Sequence, residues 1–95
     1  MTLVRMYLMT AASADGAQLG EALAALAAAV GQAPGSRGAT LLQDRANPAR
    51  YRFLEFWVDE ESRKAAGAVL PKPVMDAVFG ALSGKPESED LVVRD

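Results

Sequence analysis

The residue best placed to do chemistry is Glu55, which lies between Phe53 and Trp57 in the run Tyr51-Arg52-Phe53-Leu54-Glu55-Phe56-Trp57-Val58. Side chains alternate along a strand, so Tyr51, Phe53, Glu55 and Trp57 share one side and Leu54, Phe56 and Val58 the other. A carboxyl group buried between aromatic rings has a raised pKa and serves as a general base near neutral pH. The plain alternative is an edge position or a pairing with Arg5 on a neighbouring strand, since burial without a partner costs several kcal/mol. Tyr7 is a second candidate, as a hydrogen-bond donor to a substrate oxygen or as an amphipathic core residue with its hydroxyl at the boundary. Trp57 and Phe53 offer apolar walls for an aromatic substrate, or large volumes that fill a core. The chain has no histidine and no cysteine. Imidazole acid–base catalysis, thiolate nucleophiles, zinc–thiolate sites, iron–sulfur clusters and histidine-ligated haem are thereby excluded.

The elements that must position these groups follow from periodicity. Leu3–Met9 reads as a first strand with apolar residues on both sides, interrupted by Arg5. After a turn through Ala11–Gly16, Asp15 and Gln18 have the spacing of a capping box. Leu19, Leu23, Leu26 and Val30 then form one helical stripe. Gly31 suits the residue after the helix, and Pro34-Gly35 prevents continuation. Ala39–Gln43 predicts a second strand, Asn47-Pro48 a turn, and Tyr51–Val58 a third strand that completes a hairpin. Asp59 is a natural N-cap, with Glu60 and Glu61 at the positive end of the helix dipole. Pro71 stops this short helix, and the helical pattern resumes around Pro73 and Val74. Val74, Val78 and Leu82 form one edge of that segment; Met75 and Phe79 form the adjacent edge, facing the sheet to wall a cavity or to fill it. Gly84 ends it, Lys85–Asp90 reads as a polar, solvated loop rather than a carboxylate metal site, and Leu91–Val93 as a short last strand.

The order is the split β-α-β-β-α-β arrangement, a ferredoxin-like α+β domain over residues 1–95 with a four-stranded antiparallel sheet and helices on one face. Ninety-five residues support one domain with one two-layer core. The other sheet face still carries apolar side chains, which implies a homodimer packing two sheets together. The net charge of −2 argues against a nucleic-acid partner. Arg37, Arg45, Arg50 and Arg52 gather around the hairpin, where they steer an anionic substrate or form a solvated surface. The alanine-rich stretch Leu19–Val30 is about twelve residues, short of the roughly 20 a membrane span needs. Met1–Arg5 lacks the pattern of a signal peptide. With the absence of cysteine, this sets the expectation of a cytoplasmic protein.

The run Tyr51-Arg52-Phe53-Leu54-Glu55-Phe56-Trp57-Val58-Asp59-Glu60-Glu61, the downstream helix within Leu70–Leu82 and the order of elements resemble the antibiotic biosynthesis monooxygenase superfamily of dimeric α+β barrel proteins. The resemblance implies a pocket between sheet and helices, lined by the tryptophan-bearing strand. It implies oxygenation of an aromatic polyketide or quinol without metal or flavin, the electron-rich substrate anion itself reducing dioxygen. The protein then supplies an apolar cavity, a base or hydrogen-bond partner, and exclusion of water. On this reading Glu55 and Tyr7 are the catalytic residues, Trp57, Phe53, Met75 and Phe79 bind the substrate, and no cofactor is required. Two positions depart from the family pattern. Many relatives carry a histidine nine residues after the tryptophan, where this chain has Ala66, and that argues against haem degradation. Some polyketide oxygenases carry an asparagine four residues before the tryptophan, where this chain has Phe53. Fold does not fix function, so a non-catalytic binding module, an isomerase or cyclase, and a structural dimer with a filled interior stay open. An oxygenase requires a cavity of roughly 300 Å³ or more with a polar group pointing in.

Overall fold

The computed structural model describes residues 1–94. The elements run β1 (Leu3–Thr10), α1 (Ala17–Gly31), β2 (Ser36–Gln43), β3 (Arg50–Trp57), α2 (Glu60–Val69), α3 (Lys72–Ala81) and β4 (Glu87–Val92). The four strands form one antiparallel sheet in the order β2-β3-β1-β4. The predicted ferredoxin-like α+β class is the one observed. Its second helical region is two helices, because Leu70 and Pro71 are extended and Pro71 caps a new helix with Pro73 in its first turn.

β3 is central, and its alternation is strict: Tyr51, Phe53, Glu55 and Trp57 are buried, while Arg50, Arg52, Leu54 and Phe56 are half-buried. Register places Arg5 beside Glu55, Tyr7 beside Phe53 and Met9 beside Tyr51. Because residues paired across strands share a face, these line the side that the helices cover. Val4, Met6 and Leu8 pair with Phe56, Leu54 and Arg52 on the opposite side. Val4 is buried yet stands outside the core cluster, as expected of that face.

α1 supplies most of the helical contribution to the core. Leu19, Ala22, Leu23, Leu26 and Val30 are its buried residues, and each Leu→Ala there is expected to cost about 2–5 kcal/mol. The helix packs against β2 and α3. Its N-cap is Gly16, in the left-handed conformation at φ 69°, rather than Asp15. Asp15 stands one residue earlier and accepts from Ala17 N at 3.1 Å. Any side chain at Gly16 would meet the Pro48 carbonyl oxygen at 2.2 Å. Four residues on, Gly20 lets the Tyr51 hydroxyl reach the helix. That hydroxyl donates to Gly16 O at 3.1 Å and accepts from Gln43 Nε2 at 3.0 Å.

Two boundaries differ from the sequence reading. β2 begins at Ser36, three residues before Ala39. β4 takes in Glu87-Ser88-Glu89-Asp90, which composition alone reads as loop. It is an edge strand, exposed throughout, whose regularity comes from pairing with β1 and not from an apolar alternation. Charge on such an edge discourages further strand pairing. Among the described residues, no helix is long and apolar enough to cross a membrane.

Candidate active site

The cavity exists because α2 is a thin cover. Asp59 starts this helix by accepting from Ser62 N at 2.8 Å. The helix then turns Arg63, Lys64, Ala66 and Gly67 toward β1 and β3, and only Ala66 among its residues is buried. Alanine and glycine in that roof leave a space of about 430 Å³ over the sheet. The floor is Tyr7, Met9, Glu55 and Trp57; Leu26, Leu70, Met75, Val78, Phe79 and Pro86 complete the walls. The space passes the size threshold for a small-molecule site, and Glu55 supplies the inward polar group.

Glu55 is 7% exposed. Its Oε1 accepts from Trp57 Nε1 at 3.1 Å, so the one tryptophan finds its partner two residues back on the same strand face. Burial pushes the Glu55 carboxyl pKa above its ordinary value; the indole N–H, and then the charges of Arg63 and Arg5, oppose that shift. A carboxyl in a cleft with such opposed influences has the character of a proton-transfer group. Arg5 is its register neighbour, but its Nη1 donates to Asp90 Oδ1 at 2.6 Å on β4 instead. The Arg5 guanidinium stands 5.4 Å over the Tyr7 ring, and its Nε is a buried nitrogen without a hydrogen-bond partner among the described residues. The pairing of Glu55 with Arg5 anticipated above is thus electrostatic and not a direct bond.

Of the six residues singled out in the sequence, five border the cavity: Glu55, Tyr7, Trp57, Met75 and Phe79. Phe53 does not. It is fully buried in the core cluster, where its ring fills volume between sheet and helices. Phe79 borders the cavity at its rim rather than facing the sheet, being 60% exposed. Sequence reasoning missed Arg63, Lys64 and Gly67, and weighed Ala66 only as the place of a histidine carried by many relatives. The signal was present, because residues 63, 66, 67 and 70 fall on one helical face behind the Asp59 cap. The hairpin arginines Arg37, Arg45, Arg50 and Arg52 are absent from the lining.

Residues 2–67, β1 through α2, match the family model for antibiotic biosynthesis monooxygenase. The chain belongs to the antibiotic biosynthesis monooxygenase family. No curated protein matches its sequence. In architecture this family member is similar to SnoaB, a cofactor-independent oxygenase from Streptomyces nogalater, at TM-score 0.82 and 21% identity, covering 99% of this chain and 94% of that one. It is equally similar to an asparagine-to-alanine mutant of SnoaB, at TM-score 0.82 and 22% identity over the same shares. PA3566 from Pseudomonas aeruginosa aligns at TM-score 0.81 and 22% identity, covering 99% of this chain and 95% of that one. The family match ends within α2 and the structural matches do not, so the α3 wall formed by Met75, Val78 and Phe79 is carried by fold.

Proposed function

We propose that this family member is a cofactor-independent monooxygenase for an aromatic, anthrone- or quinol-like molecule, and that it works as a homodimer. The observation that carries the reading is Glu55: a buried carboxyl, held by the Trp57 N–H, opening onto an apolar cavity. SnoaB, of the same fold, is described as a cofactor-independent oxygenase.

The chemistry asks little of the protein beyond a base and a dry site. For an anthrone, Glu55 removes a proton from the ring methylene, and the electron pair stays on the substrate as its enolate. The enolate reduces dioxygen. One oxygen atom remains on carbon as a carbonyl and the other leaves as water with the two methylene hydrogens. The carbon gives up four electrons and dioxygen takes up four, so no outside reductant is needed. Trp57, Met75, Val78 and Phe79 hold the ring system and exclude water, which would otherwise return the proton to carbon. Tyr7, on the cavity floor beside Arg5, hydrogen-bonds the substrate oxygen.

The dimer is supported by the uncovered sheet face. Leu54 and Phe56 are half-buried within one chain, and Leu42 and Leu91 are exposed on the same side. Apolar patches of this kind mark contact surfaces. Oxygen uptake with a panel of anthrones and hydroquinones tests the activity, and Glu55→Gln and Trp57→Ala should each suppress it. An unchanged rate in either variant would refute the site. Proton exchange at the methylene in the absence of oxygen uptake would instead favour an isomerase or cyclase using the same base.

A further inference from the structure

The charges around the cavity run against those of the chain. The protein carries −2 overall, yet the ionisable groups that line the cavity are Arg63 and Lys64 on α2, and Glu55 and Tyr7 on the sheet. Arg5 stands behind Tyr7 within electrostatic reach of both Glu55 and Arg63. Arg5 is the register neighbour of Glu55 on β1, and Arg63 lines the same cavity.

Each guanidinium is tethered from the solvent side. Arg63 donates from Nε to Glu60 Oε1 at 3.0 Å, and its Nη2 binds the same oxygen. This leaves Nη1 for another acceptor. Arg5 is held by Asp90 through Nη1, and its buried Nε has no partner among the described residues. A tethered cation with unused N–H groups beside a base is the arrangement that stabilises charge developing on a substrate. When the substrate proton passes to Glu55, one negative charge moves from the carboxylate to the substrate and the total does not change. The two arginines that balance ionised Glu55 then balance the substrate anion.

We propose that Arg63 is a catalytic residue that holds the substrate's negative charge, with Arg5 as a positioning residue acting through Tyr7 and Glu55. The substrate class is accordingly an aromatic compound whose ionised oxygen lies toward α2, with Lys64 attracting it at the mouth. This rests on the reading of the cavity as an aromatic-substrate site. The competing account is a solvent-exposed Arg63–Glu60 pair of no consequence.

The probe is 2-hydroxyanthraquinone, a ring system of the proposed class without an oxidisable methylene, whose colour changes when its phenol ionises. Titrated against the intact protein, bound probe should ionise about 1–3 pH units below free probe, the effect of an adjacent cation. Arg63→Gln should abolish most of that displacement and weaken binding of the ionised probe about tenfold or more, while Arg63→Lys retains part of both. Arg5→Gln should act in the same direction, less strongly. Arg37→Gln removes a charge from the hairpin and should change nothing. The groups facing Arg63 are Glu55, Tyr7, Arg5 and Asp90 from the sheet and Glu60 and Lys64 from its own helix, and Arg63→Gln alters none of them. Probe that binds the natural protein but ionises at the same pH with and without Arg63 overturns the anion site and leaves the cavity reading standing. So does an Arg37→Gln effect as large as that of Arg63→Gln. Failure of the natural protein to bind either form of the probe overturns the cavity reading, and this proposal with it.

Discussion

Replacing Glu55 by Gln should make the protein more stable and less active, with the gain visible only above the carboxylate range. The folded-state pKa of Glu55 is raised, chiefly by burial. At low pH the group is protonated in both folded and unfolded chains, and glutamine differs little from the neutral acid. As pH rises past about 4.3, the unfolded chain ionises first. Stability then falls until the folded pKa is passed and stays at that lower level beyond it. Glutamine keeps an oxygen for Trp57 Nε1 and carries no charge at any pH. An effective burial penalty of several kcal/mol, offset by about 1.5–3 kcal/mol from the indole hydrogen bond to a charged acceptor, leaves a deficit of about 1–3 kcal/mol at pH 8. For a domain of this size that is at least about 4 °C in Tm. Thermal unfolding of both proteins at equal concentration, at pH 8 and at pH 4, measures it. A Tm gain that is the same at both pH values, or a loss at pH 8, would show that Glu55 is not a desolvated carboxyl, and its assignment as the base would collapse.

Other perturbations test the remaining parts. If the uncovered sheet face pairs two copies as proposed, Phe56→Asp or Leu54→Asp on it should yield a monomer in sedimentation, without disturbing the helix-covered core on the other face. Gly20→Ala would place a Cβ at 2.4 Å from the Tyr51 hydroxyl. Breaking its two hydrogen bonds should cost about 1–3 kcal/mol by denaturant midpoint, and because Tyr51→Phe removes the same two bonds, the double variant should lose little more than either single one. Ala66→Leu should close the cavity from its roof, so that aromatic ligands bind at least about tenfold more weakly while the fold is kept, as seen by calorimetry and circular dichroism. The Asp90 carboxyl is held below its usual pKa by the Arg5 hydrogen bond. Its stabilisation is therefore present at neutral pH and lost as pH falls through that lowered value, so Asp90→Asn should lower Tm at pH 7 and have no effect in strong acid.

The fold was legible wherever burial is one-sided. The β3 alternation, the α1 stripe and the Asp59 cap all follow from local rules, and the structure places them within a residue or two of where the sequence does. β4 was not legible, because Glu87-Ser88-Glu89-Asp90 owes its extended conformation to β1, a partner strand at the other end of the chain. At the site, Glu55, Tyr7 and Trp57 were readable because strand alternation fixes which side chains share a face. Whether a given face residue meets a cavity or a neighbour was not readable. Phe53 and Trp57 have the same burial and the same orientation, and only the thin α2 roof over Trp57 separates their roles. Arg63 was overlooked for a related reason, since a charged residue after a helix cap reads as surface until the helix is seen to overhang an opening.

The bond between Trp57 and Glu55 gives the protein a built-in optical reporter. A single indole occurs in the chain, and its ring nitrogen touches the carboxyl group proposed as the base. Its emission should respond both to an occupant stacking against it and to the protonation of its neighbour. Intrinsic fluorescence followed against pH would therefore read the charge state of Glu55 directly, in the resting protein and with no label attached.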